Sequence, residues 1–218
     1  MHRTMSALLS GHDTGLPAFG APGRDWMTYG GLQDLTRNVA QALHAMGIGR
    51  GDRVAIVLPN GPEMATAFVT IAQVATTAPL NPAYREEEYD FYLSDLKAKA
   101  LVVTADYDGP ALAAATKAGM AVIRLSVPKG AVAGQFCLSS DVTGTADVTA
   151  PDADDVALIL HTSGTTSRPK IVPLLHSNVA ASAEHIRVSL DLTPADRCMN
   201  VMPLFHIHGL IAAVTASL

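Results

Sequence analysis

Residues 53–62 read RVAIVLPNGP. Val54 to Leu58 is an unbroken apolar run too short for a helix, and it stops at a Pro-Asn-Gly-Pro cluster. That is the pattern of a strand buried on both faces and closed by a turn. Upstream, Leu32, Leu35, Val39, Leu43 and Met46 fall on one helical face that ends at Gly47. Downstream, the spacing predicts a helix over 63–74, a short strand over 77–80, a helix over 86–95 and a strand over 100–104. A helix over 110–118 and a strand over 120–125 follow. Helix and buried strand alternate, so the expected fold is an α/β layered domain with a mostly parallel sheet flanked by helices. Residues 126–151 are rich in Gly, Ser, Thr and Asp and read as a surface connection with room for a hairpin.

Composition narrows the function classes. The 218 residues are 49% hydrophobic and 16% charged, with a net charge of -5. This is the profile of a globular chain with a sizeable core, and it offers no basic stripe for a nucleic acid. No apolar run approaches the ~20 residues that span a bilayer, and the N-terminus lacks the apolar segment of a signal peptide, so no membrane partner and a cytoplasmic location are expected. Cys137 and Cys198 lie far apart without Cys-x-x-Cys spacing, and both read as small core residues in a reducing compartment.

Residues 160–173, LHTSGTTSRPKIVP, carry the strongest chemical signal. Residues 156–161 read as a buried strand and Ile171-Val172 as its successor, so Thr162 to Lys170 is the loop between them. Hydroxyls that donate and accept, a glycine that admits close approach, and the cations Arg168 and Lys170 suit the phosphates of a nucleotide. The Walker pattern is absent, and on the residues alone a solvated Ser/Thr turn is the simpler reading. In the segment 202–210, MPLFHIHGL, His206-x-His208 has the look of a metal pair but no third ligand is visible, so no metal site is assigned.

The segment Thr162-Ser163-Gly164-Thr165-Thr166-Ser167-Arg168-Pro169-Lys170 resembles the phosphate-binding loop of the adenylate-forming, AMP-binding superfamily. Ser167 and Ile171 stand where glycine is usual there. Residues 202–210 resemble the next motif of that family, and Thr28-Tyr29-Gly30, Gly51-Asp52-Arg53-Val54-Ala55 and Pro79-Leu80-Asn81-Pro82 resemble its earlier landmarks, in order. The resemblance implies ATP phosphate binding by Thr162, Ser163, Gly164, Thr165, Thr166 and Lys170. It implies an acyl pocket at Phe205, His206, His208 and Gly209, with His206 as the catalytic group near the carboxylate and the α-phosphate. His161, at the end of a strand before the loop, reads as structural or as a support for the loop rather than as catalytic.

What the resemblance implies is an AMP-forming acid-CoA ligase using ATP, Mg2+ and coenzyme A, most similar to the oxalate-CoA ligase branch and therefore taking a small carboxylic acid. An adenylating module that loads a carrier-protein thiol, and a non-catalytic fragment with weak phosphate binding, stand as alternatives. The family's later motifs do not occur here, so residues 1–218 read as the N-terminal portion of the AMP-binding large domain, without its small C-terminal domain and inactive alone. The apolar ending, residues 209–218, reads as a helix whose covering layer is missing, an exposed end that invites a homodimer.

Overall fold

The computed structural model describes residues 3–162 and 169–218. A four-residue helix, α1 (Met5–Leu8), is capped by the Thr4 hydroxyl, which accepts the Ala7 amide at 3.1 Å. Pro17–Ala21 (β1) and Arg24–Thr28 (β2) form an antiparallel hairpin of their own. Trp26, half exposed, packs directly on Gly20, where a Cβ would stand 2.5 Å from the indole. The helix α2 (Tyr29–Ala45) starts where the Thr28 hydroxyl accepts the Gly31 amide, and it buries Leu32, Leu35, Val39 and Leu43 as their spacing predicts.

The alternating units follow: β3 (Arg53–Val57), α3 (Pro62–Ile71), β4 (Thr76–Pro79), α4 (Glu86–Leu96), β5 (Ala100–Thr104), α5 (Pro110–Lys117) and β6 (Ala121–Ser126). A short β7 (Cys137–Ser139), then β8 (Val156–Thr162), β9 (Lys170–Leu175) and α6 (His176–Ser189) complete the layers. The seven-stranded sheet runs β7-β6-β5-β3-β4-β8-β9. Its inner strands are parallel, and the two edge strands β7 and β9 are antiparallel to their neighbours.

Pleating divides β3 between two cores. Val54 and Ile56 pack with α2, α3 and α6 on one face, whereas Ala55 and Val57 pack with α4 and α5 on the other. On the first face α3 is buried from Met64 through Ile71, because a loop crosses its outer side. Arg24 pins that loop by reaching Glu63 at 2.5 Å and the Val132 carbonyl at 2.7 Å, while Glu63 also accepts the Gly134 amide. The connection expected at the surface is thus partly interior, with Ala133 and Phe136 buried.

Two expectations are corrected. Cys137 and Cys198 are both exposed rather than core residues, since each sits in a segment that lies on the outside of the layers. The apolar ending is covered within the chain. Residues His208–Val214 form a π-helical segment and Thr215–Ser217 a 3-10 turn, and Leu210, Ile211, Val214 and Ala216 are buried in the α3/α6 core. The Tyr29 hydroxyl donates to the Leu218 carbonyl at 3.0 Å. The physical ground for pairing through an exposed end is therefore absent, and exposed apolar side chains lie earlier, at Val188, Leu190, Met199, Val201 and Ile207. No described helix is long and apolar enough to cross a membrane.

Two tests follow from this packing. His176, 1% exposed, accepts the Met5 amide on Nδ1, so Nε2 carries the proton and is buried without a partner among the described residues. Burial pulls its pKa below the ordinary 6.5, against the opposing effect of Asp155. Below pH 6.5 the unfolded chain takes up a proton that the folded imidazole resists, so stability is full above that pH and falls beneath it. The unfolding free energy of His176→Gln should decline less steeply than wild type between pH 7 and pH 5; parallel declines would refute this. Gly209 is the second case, because a Cβ there would stand 2.6 Å from the Pro203 carbonyl oxygen. Gly209→Ala should lose about 1–3 kcal/mol in urea unfolding.

Candidate functional site

The parallel strands β3, β4 and β8 end on one edge of the sheet. From β3 the chain turns to α3 on one face, and from β4 and β5 to α4 and α5 on the other, so the direction of winding switches at the carboxyl end of β3. Open α/β sheets bind ligands at such a crevice. Two segments singled out in the sequence reach this edge.

The first is the β8–β9 end. Thr162 and Lys170 are exposed and face each other as the last pair in the β8/β9 ladder. Ser163, Gly164, Thr165 and Thr166, with Ser167 and Arg168, lie outside the described residues. Just before Thr162, the His161 side chain is 5% exposed and its Nε2–H donates to Asp95 Oδ2 at 3.1 Å. A carboxylate has only acceptors to offer, which fixes that tautomer. Tyr92 meets the imidazole edge-on at 4.6 Å, with Tyr84 stacked behind it. Burial pulls the His161 pKa down while Asp95 raises it, with burial the larger effect. His161 thus fastens the end of β8 to α4, a structural contact; the loop it was expected to support lies outside the described residues.

The second segment is 202–209. Leu204 is buried, Phe205 half-buried, and His206, His208 and Ile207 are exposed. The Phe205 and His206 rings lie 4.5 Å apart at 52°. Phe205 and Leu204 lie against Leu58 and Asn60 just past β3, Met64 in α3 and Leu80 just past β4. The Leu210 amide donates to the His206 carbonyl at 3.2 Å, which leads the chain into the π-helical segment, a geometry often found at functional positions. Gly209 is buried because that segment turns against Pro203.

Both segments share the edge but touch through no hydrogen bond among the described residues. With β4 between them, the ends of β3 and β8 are two strand spacings apart, about 10 Å. One participant escaped the sequence reading. Asn60, which reads as a turn residue, accepts the Leu204 amide on Oδ1 at 2.8 Å and donates from Nδ2 to the Met202 carbonyl at 3.4 Å. Its only sequence signal is its position directly after a buried strand. Among the described residues no cluster of three His, Cys, Asp or Glu side chains is placed to hold a metal ion.

Comparison with known proteins gives this geometry a family. A probable CoA ligase of Humulus lupulus is 40% identical over 199 residues, covering 88% of this chain and 37% of that protein. The oxalate–CoA ligase of Arabidopsis thaliana is 38% identical over 222 residues, covering 99% of this chain and 43% of that protein. Among solved structures, ATP-bound MatB of Rhodopseudomonas palustris superposes with a TM-score of 0.81 at 28% identity, over 99% of this chain and 43% of MatB. The chain thus spans about two fifths of the length of these relatives. The profile of the family described as AMP-binding enzyme matches residues 11–218, and the chain belongs to that family.

Proposed function

We propose that the chain supplies the N-terminal part of the large domain of an ATP-dependent acyl-CoA synthetase, acting in the cytoplasm on a small carboxylic acid such as oxalate. The reaction is carboxylate attack on the α-phosphorus of ATP, with pyrophosphate leaving, and then attack of the coenzyme A thiol on the acyl carbon, with AMP leaving. The observation that carries the reading is the common edge: an exposed Thr162/Lys170 pair where β8 ends and β9 begins, and an exposed His206 beside Phe205, which lies against Leu58 and Asn60 just past β3.

Each group has a task that fits its chemistry. The Lys170 ammonium and the Thr162 hydroxyl supply a cation and a donor for phosphate oxygens, together with Ser163, Gly164, Thr165 and Thr166. The Lys170 ammonium makes no hydrogen bond or ion pair with another described residue, so it is free to meet an anion. His206, exposed beside Phe205, presents an imidazole to a carboxylate, with Phe205, His208 and Gly209 shaping that side. Among the described residues Lys170 is a cation at this edge. The name of the Arabidopsis relative supports oxalate as the acid and CoA as the acceptor.

In the complete protein, oxalate-dependent pyrophosphate release with Mg-ATP should fall about 10²-fold in Lys170→Ala, the scale set by removing one preorganised electrostatic contact. Thr162→Val should lower it in the same direction. Unchanged release in Lys170→Ala would sink the assignment of this loop. Release with other acids but not oxalate would sink the substrate and leave the reaction class standing.

A further inference from the structure

Segment 197–207 has few attachments to the fold. Met199 is 84% exposed, Val201 74% and Ile207 51%, so side-chain burial holds it only around Leu204 and Phe205. Its other hydrogen bonds are local: Asn200 brackets the Met202 amide and carbonyl, and the His206 amide donates to the Pro203 carbonyl. Among the described residues, the hydrogen bonds that tie 202–206 to the sheet come from Asn60.

We propose that Asn60 is a positioning residue of the carboxylate subsite: through the Leu204 amide and the Met202 carbonyl it fixes where the Phe205–His206 ring pair stands over the end of β3. The inference rests on the functional reading above, which places His206 at the acid. Its physical basis is separate. Asn60, itself exposed, follows β3 by three residues, and β3 is the strand buried between both cores, so the turn that carries Asn60 is rooted in the packed interior. A planar amide that accepts at 2.8 Å and donates at 3.4 Å grips the backbone on both sides of Pro203, so register as well as distance is set. The shorter of these bonds dominates. An aspartate at this position keeps the acceptor and loses only the long, shared donation to Met202, whereas alanine loses both.

Two measurements separate the clamp from the chemistry. In the complete protein, amide hydrogen exchange at Leu204 should quicken in Asn60→Ala and stay near wild type in Asn60→Asp; equal protection in Asn60→Ala overturns the clamp. In steady-state kinetics, Asn60→Ala should raise the KM for the acid about tenfold, the fold-change of one lost hydrogen bond, with the KM for ATP unchanged. Equal rises in both KM values would mark a general structural role and overturn the positioning role. So would an unchanged acid KM in an otherwise active protein. A wild-type protein that releases no pyrophosphate with any carboxylate overturns the functional reading and the positioning role together, while the exchange result still reports on the clamp.

Discussion

The fold depends on burying one five-residue strand from both sides. In β3, Val54 and Ile56 face one core while Ala55 and Val57 face the other, and none of them is more than 1% exposed. That constraint demands helices on both faces and hence crossovers in both senses. The winding therefore reverses at the end of this strand, and the crevice follows from the reversal. The candidate site is a by-product of how the core is covered.

Electrostatics at the crevice is arranged with few charges. His161 and His176 are both buried imidazoles whose pKa values are pulled down, and they flank the two ends of the β8/β9 ladder. One meets Asp95 and Tyr92; the other receives a backbone amide and leaves a nitrogen without a partner among the described residues. The Thr162 hydroxyl and the Lys170 ammonium, proposed above to meet a phosphate, stand apart from these pairs where solvent reaches them.

The parallel strands were legible because buried parallel strands are written as continuous apolar runs, and 53–58, 100–104 and 156–161 each carry one. Helices α2 and α4 announced themselves by spacing. Helix α6 did not, because its buried side is Val179, Ala180 and Ala183, and alanine contributes little periodic signal. The β1–β2 hairpin was hidden for the opposite reason, since PAFGA and RDWMT hold too little alternation to read. Residue type misled at Cys137 and Cys198, where a residue type that favours interiors lies at the surface. At the candidate site, motif resemblance pointed to the loop and the His206 segment, but Asn60 was hidden by its own plausibility: an asparagine before glycine and proline is fully explained by turn chemistry. Only three-dimensional proximity to Leu204, 144 positions away in sequence, gives it a second meaning.

The hairpin has a spectroscopic consequence. The chain has one tryptophan and five tyrosines. Trp26 sits half in water on the small two-stranded sheet, against Gly20, whereas Tyr84, Tyr89, Tyr92 and Tyr107 gather around α4 in the layer on the far face of the large sheet. The two chromophores therefore watch different parts of the molecule. Indole emission follows the fraying of the hairpin, and phenol absorbance and near-ultraviolet dichroism follow the layered body, so optical unfolding curves coincide only where hairpin and body melt as one unit.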